Sequence, residues 1–284
     1  MAGATPTLRT QTSSSHWEVA IRRPDPKFAP FMHRALGYTE RACRPRLRRE
    51  IPSAKVIVVI ELGPSLEVAA RSDAGRMASF SGGFVAGLDD AAGCSQHAGF
   101  QFGMRIDLTP QGAHRIFGVP MSDLSGRIVA LSDLLPAKHQ NLAGKLRELP
   151  SWDARFDLVE SVISEQLAAS ESQHEAISWA AQRIEESCGC LNIGELVRKL
   201  GYSHKHTLRL FNTHIGMSPK LLARLVRFDH LRQAIASTPA SLAVLAARFG
   251  YADEAHLIRE VRHFAGTSPS ELRLTYPTLV QRTL

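Results

Sequence analysis

Two stretches about fifty residues apart resemble each other: Gly201–Gly216, GYSHKHTLRLFNTHIG, and Gly250–Gly266, GYADEAHLIREVRHFAG. Each begins with glycine and tyrosine, continues with apolar residues at helical spacing, and ends in a glycine that is followed by one residue and Ser-Pro. Glycine takes backbone angles that a Cβ atom would forbid, so each Gly-Tyr pair marks a tight turn. The repeat therefore predicts two copies of one helical unit.

Helix start signals surround the first turn. Asn192 with Glu195 three residues later forms a capping box and predicts the start of a helix that ends before Gly201. Ser203 follows the turn and is placed to cap a second helix. A helix, a short glycine turn and a second helix form a helix-turn-helix. In the second copy Ser241 caps the first helix, and Gly250 makes the turn.

The second helix of each copy has an inward and an outward face. Apolar residues at i, i+3 and i+4 define the inward face, which comprises Thr207, Leu210 and Phe211 in one copy and Leu257, Val261 and Phe264 in the other. The candidate DNA-binding residues on the outward face are His204, Lys205, Leu208, Arg209 and Asn212 in the first copy and Glu254, Ala255, Ile258, Arg259 and Arg262 in the second.

A long helix is predicted between the two units. Ser218 and Pro219 cap and start it, and its apolar spacing continues to about Ser237. A helix of roughly twenty residues spans ~30 Å. Two recognition helices need a separation near ~34 Å, one DNA turn, to enter successive major grooves on one side of a duplex. The spacing of the copies therefore suits two contacts along one double-stranded DNA.

Arginines on the outward faces suit the reading of bases. Arg209 and Arg259 each precede a buried helix position by two residues, and a guanidinium can bond guanine bidentately in the major groove. Lys205 can reach a guanine or a phosphate. Leu208 and Ile258 either contact thymine methyl groups or are partly buried.

The remaining polar residues near the helix starts allow two interpretations each. Glu254 either accepts a hydrogen bond from a cytosine amino group or caps its helix. For His206 and His256 we expect packing or phosphate contact rather than metal binding.

Positive charge is concentrated in the C-terminal part of the chain. The formal net charge is +7. Residues 173–284 contain 14 Lys and Arg against 9 Asp and Glu, whereas the remainder contains 20 against 18. They also contain seven of the twelve histidines. This distribution suits a polyanionic partner.

Other features exclude several classes of protein. The start of the chain is polar and lacks the apolar segment of a signal peptide, and the longest strongly apolar run, Val56–Ile60, is too short to cross a bilayer. The four cysteines do not make a disulfide framework, and Cys188-Gly-Cys190 lacks zinc-site spacing. We expect a cytoplasmic protein with no membrane partner, metal, cofactor or catalytic residue.

Residue patterns predict an α+β chain of two domains. Residues 1–15 are a disordered tail, 16–135 a β-rich, partly barrel-like domain with a few helices, 136–172 a helical connector, 173–276 an all-α domain with both helix-turn-helix units, and 277–284 a tail. A short helix is expected over Lys27–Leu36. The apolar face of Phe156–Leu167 must pack on the first domain, on a partner subunit in a homodimer, or on both. The arginine cluster between Arg41 and Arg49 is either a solvated edge or a contact for an acidic ligand or for DNA.

The C-terminal region from about Glu175 to Arg273 resembles the DNA-binding domain of the AraC/XylS family of bacterial transcription regulators. The residues that carry the resemblance are Ile193–Leu200, Gly201-Tyr-Ser, Leu210-Phe211, Gly216-Met-Ser-Pro219, Arg224–Ala234, Leu245-Ala246, Phe249-Gly-Tyr251, His256-Leu257, Arg259 and Gly266-Thr-Ser-Pro-Ser-Glu-Leu-Arg273. The family's base-facing positions are occupied here by Lys205, Leu208, Arg209, Ala255 and Arg259. Leu208 and Ala255 depart from its commoner polar choices, and Val261 replaces a usual phenylalanine.

The N-terminal region is similar to the sensor region of an AraC-like subgroup, on the stretches Gln101–Ala113, Phe117–Pro120 and Leu124–Asp133. That similarity implies a β-domain that binds a small-molecule effector or forms a dimer, and the family implies RNA polymerase as a partner.

The leading hypothesis is a sequence-specific transcription regulator, which is not an enzyme, acting on promoter DNA. The alternative is an enzyme that carries such a DNA-binding domain. A cupin-type catalyst needs a clustered His and Glu metal set, for which His97 and His114 alone do not suffice, and a DNA-repair alkyl transferase needs an activated cysteine.

Overall fold

The computed structural model describes residues 7–11, 15–42, 44–70, 76–170 and 174–275 of the 284. Strands occupy the first half of the described chain and helices the second, which confirms the α+β class. The strands are β1 (Thr7–Gln11), β2 (Ser15–Arg22), β3 (Met32–Ala42), β4 (Arg46–Glu50), β5 (Val56–Glu61), β6 (Glu67–Ala69), β7 (Ala78–Ser79), β8 (Phe84–Ala86), β9 (Gly93–His97), β10 (Phe100–Leu108) and β11 (Ile128–Ala130).

The helices of the described chain begin after β10, and the longest are α4 and α8. They are α1 (Pro110–Phe117), α2 (Leu131–Leu134), α3 (Leu142–Glu148), α4 (Trp152–Ala169), α5 (Glu175–Glu186), α6 (Ile193–Lys199), α7 (His204–His214), α8 (Pro219–Ser237), α9 (Leu242–Arg248), α10 (Glu254–Ala265) and α11 (Pro269–Thr275). Among the described residues no helix has the length and apolar character needed to cross a membrane.

Two antiparallel sheets build the β-rich region. The seven-stranded sheet has the order β1-β2-β3-β10-β5-β8-β11 and the four-stranded sheet the order β4-β9-β6-β7. Both orders have two edge strands, so within the described residues neither sheet closes into a barrel by itself. The apolar run Val56–Ile60 lies in β5, which pairs with β10 and β8. Residues of both sheets line a cavity between them.

The prediction of a helix over Lys27–Leu36 is wrong. A short 3-10 helix covers only Pro26–Phe28, and the chain then enters β3 at Met32. β3 pairs with β2 on one side and with β10 on the other, so long-range hydrogen bonds supply its backbone partners. Local apolar spacing does not report such pairing, and here the sheet overrides it.

The expected N-terminal tail also differs from the structure. Residues 7–11 form β1, which pairs with β2 in the register Thr7 to Ala20. The segment is rich in threonine, a good strand former, and its backbone finds partners at the sheet edge. Residues 1–6, 12–14 and 171–173 and the tail 277–284 lie outside the described residues.

Helix α4 packs inside the chain. Phe156, Val159, Val162 and Ile163 are buried, and the last three join residues of β5, β10 and α1 around one small apolar space. Of the three packing alternatives for this face, the structure shows packing on the first domain. Leu167 of the same face is half-buried, and the homodimer stays a prediction.

Candidate nucleic-acid interface

The first helix-turn-helix unit consists of α6, the turn at Gly201 and α7. The Asn192 side chain accepts a hydrogen bond from the Glu195 amide at 3.2 Å, and the Ser203 hydroxyl accepts one from the His206 amide at 3.2 Å. Gly201 has a φ of 72°, in the left-handed region that favours glycine. The capping residues and the turn are therefore those that the sequence predicts.

Helix α7 divides into the expected faces. Thr207, Leu210 and Phe211 are buried. His204, Lys205, Arg209 and Asn212 are exposed, whereas Leu208 is half-buried. The guanidinium of Arg209 lies 3.2 Å from His206 Nδ1, a local contact on the exposed surface. Four of the five residues proposed for this helix are thus solvent-exposed on one surface, and Leu208 lies at its margin.

The second unit repeats this geometry with α9, the turn at Gly250 and α10. Gly250 has a φ of 68°. The inward residues Leu257, Val261 and Phe264 are fully buried, so valine at 261 leaves a closed core. The exposed candidates on this helix are Glu254, Ala255, Arg259 and Arg262, and Ile258 is half-buried.

The cap of α10 is Asp253. Its carboxylate accepts a hydrogen bond from the His256 amide at 2.6 Å, and Glu254 is the first residue of the helix. The capping alternative for Glu254 is therefore wrong, because the preceding aspartate already has the N-cap geometry. The Glu254 side chain stays on the exposed face.

Both histidines near the helix starts pack on the turn tyrosines. The ring of His206 lies 5.0 Å from that of Tyr202, and the ring of His256 lies 5.3 Å from that of Tyr251. The geometry therefore matches the packing interpretation of these two histidines.

Two arginines of α8 join it to the second unit and to the segment before α6. Arg224 donates to both carboxylate oxygens of Glu260 on α10, at 3.1 and 2.7 Å. Arg227 donates to the Gly189 carbonyl at 2.7 Å and to the Gly250 carbonyl at 3.4 Å. The position of Glu260, three residues after Leu257 and four before Phe264 on the buried face, was an available signal for a buried acid that needs a basic partner.

The recognition helices also touch the β-rich domain at their C-terminal ends. The His214 ring, at the end of α7, lies 4.7 Å from the His114 ring on α1. Arg49 donates to the Gly266 carbonyl at 2.9 Å, directly after α10. His263 lies 3.5 Å from Asp90. The N-terminal domain thus contacts both helix-turn-helix units, and Arg49 of the basic cluster takes part in that contact.

The two histidines considered for a cupin-type metal have different surroundings. His97 lies 3.5 Å from the buried Glu40 carboxylate, whereas His114 Nδ1 pairs with the Val119 carbonyl at 2.8 Å. They do not form one ligand set. The enzyme alternative gains no support from these residues.

The cavity between the sheets has a volume of about 190 Å³. Its walls are mostly apolar and include Trp17, Val59, Val68 and Phe84, and charged side chains complete the lining. Arg48 lies at this cavity, where it donates to Glu40 at 2.5 Å and lies over the Trp17 ring. A concave, mostly apolar space of this kind suits a small molecule better than a protein surface.

Comparison with known proteins identifies the C-terminal region. A model of a helix-turn-helix domain matches residues 196–275. The raffinose operon transcriptional regulatory protein RafR of Pediococcus pentosaceus is 29% identical over 101 residues, which cover 35% of this chain and 36% of that protein. The match therefore spans about a third of that relative's length.

Solved structures that align with this chain include the following two. The C-terminal domain of AraT, a response regulator from Geobacillus stearothermophilus, is 22% identical, covers 37% of this chain and 92% of its own, and has a TM-score of 0.33. ToxT from Vibrio cholerae is 7% identical, covers 82% and 98%, and has a TM-score of 0.47. The domain match and the paired units described above show that the C-terminal region of this chain is a helix-turn-helix domain.

Proposed function

We propose that this protein is a sequence-specific, DNA-binding regulator of transcription that places α7 and α10 in adjacent major grooves of promoter DNA. The observation that carries the proposal is the pair of matched units on one helix, α8, each with an exposed basic face. Nineteen residues of α8 correspond to ~28 Å of helix, close to the ~34 Å repeat of one DNA turn.

The contacts within this interface divide by chemistry. Arg209 and Arg259 read guanine, because a guanidinium matches its O6 and N7 acceptors. Lys205 binds guanine or phosphate, and Arg262 and His204 add phosphate contacts that position the protein. The other exposed candidates are Asn212, Glu254 and Ala255.

Leu208 and Ile258 occupy equivalent places on the two helices. Both are half-buried, so each packs against its own unit and offers its remaining surface to a thymine methyl group. The first unit has lysine and arginine where the second has alanine and arginine. We infer that α7 contributes more to sequence choice and α10 more to affinity.

The N-terminal domain is proposed to sense a small-molecule effector in the cavity between its sheets. RNA polymerase is the partner through which such a regulator acts on a promoter. The contacts from the N-terminal domain to the ends of α7 and α10 support regulation of DNA binding by that domain.

Selection from random DNA tests the proposal. The purified chain should enrich one sequence, and footprinting of that sequence should show two protected major-groove segments about one helical turn apart. Scrambled DNA of equal length is the control, at matched salt, because phosphate contacts alone give salt-dependent binding. Enrichment of no sequence overturns sequence-specific binding, and a single protected segment overturns reading by both units.

A further inference from the structure

Arg209, the reading arginine of the first unit, is hydrogen-bonded within its own helix. Its Nη2 atom lies 3.2 Å from Nδ1 of His206, about one helical turn earlier. A guanidinium has donors only, so Nδ1 is the acceptor and the imidazole is neutral, with its hydrogen on Nε2. The other N–H groups of the guanidinium remain for a base. His206 therefore orients Arg209 and leaves it able to bond guanine bidentately.

His206 is itself held in place by the turn that precedes α7. Its backbone amide donates to the Ser203 hydroxyl at 3.2 Å, and its half-buried ring lies edge-on to the ring of Tyr202, at 5.0 Å. Edge-to-face packing at such a distance is a favourable arrangement of aromatic rings. The acceptor for Arg209 thus belongs to a ring whose position the turn determines.

The second unit uses its turn histidine differently. The His256 ring also packs on the tyrosine of its turn, but its Nδ1 accepts from the backbone amide of Ala252 at 3.3 Å. A neutral imidazole has one acceptor nitrogen, so this bond leaves no acceptor for Arg259. Of the two turn histidines, His206 is the one that orients an arginine.

A row of rings connects His206 to the N-terminal domain. It starts with His114 on α1 and continues with His214 at the end of α7, at a ring distance of 4.7 Å, and then with His174 before α5, at 5.5 Å. The His174 ring lies 6.0 Å from the ring of Tyr202, on which His206 packs. Each step lies within the range of aromatic contacts. We call these five residues the ring row.

We propose that His206 positions Arg209 for base reading, and that the ring row makes this position depend on the N-terminal domain. This inference deepens the proposed function and rests on it. An exposed arginine loses rotamer freedom when a base immobilises it. Because His206 already restricts the guanidinium in the free protein, less freedom is lost on binding to the base that matches its direction. The restriction therefore acts on discrimination between bases.

The N-terminal domain enters through α1, which carries the first ring of the row. The Nδ1 atom of His114 donates to the Val119 carbonyl at 2.8 Å, so this ring is fixed to the end of α1. A displacement of α1 relative to α7 moves the rings of His214 and His174, and through them the support of Tyr202. The N-terminal domain thereby changes the choice of base by the first unit without a contact to DNA.

A double-mutant cycle tests the positioning role. Fluorescence anisotropy of the full chain compares the selected site with variants at the base that Arg209→Ala ceases to distinguish. His206→Phe keeps a ring on the turn tyrosine and removes the acceptor, so discrimination at that base should fall roughly threefold to tenfold, with binding to scrambled DNA unchanged. In the Arg209→Ala background the same substitution should have no effect. His256→Phe is the matched control and should leave discrimination at that base intact.

Three results overturn the positioning role. They are unchanged or improved discrimination in His206→Phe, an equal loss on every sequence, which assigns His206 to a phosphate contact, and a loss that persists in the Arg209→Ala background. Each of them leaves base reading by Arg209 intact. If Arg209→Ala itself leaves discrimination unchanged at every base, base reading by this arginine is wrong, and so is the role of His206.

Nitrogen-15 NMR of the free chain gives a test that needs no DNA. In neutral His206 the hydrogen should be on Nε2, and the signal of the unprotonated Nδ1 should shift in Arg209→Ala. His256 is the internal reference, because its Nδ1 accepts from a backbone amide and should not respond. A hydrogen on Nδ1 of His206, or no response to the loss of Arg209, overturns the inference. Failure of DNA selection is therefore distinguishable from failure of the inference.

Two substitutions of His114 test the connection to the N-terminal domain. His114→Phe and His114→Ala both remove the bond to the Val119 carbonyl, so their difference isolates the ring. Discrimination at the base that Arg209 reads should be lower in the alanine variant by about twofold or more. His16→Ala, which removes an exposed histidine outside the ring row, is the control. Equal discrimination in the two His114 variants overturns the connection.

Discussion

At the scale of single residues, burial decides which outward positions are available to DNA. Arg209 and Arg259 are exposed on helices whose opposite faces are closed by Phe211 and Val261. Their side chains are therefore accessible to a base edge, while the buried faces fix the helices that carry them. Leu208 has a mixed environment, because packing on its own unit competes with exposure to a groove.

Replacement of either reading arginine should relax the choice of one base. We expect Arg209→Ala and Arg259→Ala each to cost ~1–3 kcal/mol against the preferred site and to leave binding to scrambled DNA less affected. Measurement by fluorescence anisotropy on single-base variants of the selected site gives both quantities. Arg183→Ala is the control, since Arg183 pairs with Glu186 on α5. A uniform loss on all sequences would instead assign these arginines to phosphate contact.

At the scale of elements, glycines with the same backbone angle have different surroundings. Gly189, after α5, and Gly201, between α6 and α7, have φ of 71° and 72°. A Cβ atom at Gly201 would meet nothing within 4 Å, whereas one at Gly189 would lie 2.1 Å from the Ala223 carbonyl oxygen of α8. The turn at 201 needs glycine for its angle alone, and the turn at 189 also needs it for close packing on α8.

Alanine substitution separates these two requirements. Gly201→Ala should lower the free energy of unfolding by about 1–2 kcal/mol, the cost of a left-handed angle. Gly189→Ala should cost roughly 2–5 kcal/mol, because displacement of the α8 backbone adds to the same angular strain. Urea denaturation of the two variants measures the difference. Equal losses would mean that the Gly189 turn shifts away from α8 without cost.

At the scale of the whole molecule, the core is continuous between the β-rich domain and the DNA-binding domain. Phe156 of α4 and Phe211 of α7 belong to one cluster of buried apolar residues. At the surface of this interface His214 meets His114 and His174 at ring distances of 4.7 and 5.5 Å. Burial, together with these two histidines, lowers the pKa of His214 to about 4.

The interface should therefore weaken in acid. The ordinary pKa of a histidine is 6.5, so between 6.5 and about 4 the unfolded chain binds a proton that the folded chain does not. Stability from this group is present above that window and declines as the pH falls through it. The melting temperature should fall less steeply with decreasing pH in His214→Gln than in His16→Gln. The second variant is the control, because His16 is exposed.

The difference between those two variants isolates His214. Glu61, whose pKa is raised to about 7 by burial, acts in the opposite direction in both proteins, since its stabilising effect is lost as the pH rises. Equal pH dependence of the melting temperature in both variants would show that folding leaves the pKa of His214 unchanged.

The helix-turn-helix units were predictable in detail because their signals are local. Capping residues, glycine turns and apolar spacing act within a few residues, and Ser203, Gly201 and Phe211 lie where those signals place them. The strand β5 was predictable for the same reason, since a run of β-branched residues favours it wherever it pairs. The helix expected at Lys27–Leu36 failed because sheet pairing from β2 and β10 is not a local property.

The sequence by itself determined the two helix-turn-helix units, their spacing along α8 and the alternation of exposed and buried faces. Each of these features follows from short-range steric and capping preferences. Only the tertiary structure decided where α4 packs, that Glu260 pairs with Arg224, and that Lys55 and Asp229 meet across two domains. These contacts join residues far apart in the chain. Their energies depend on burial and on the mutual distance of charges, and both arise when the domains pack together.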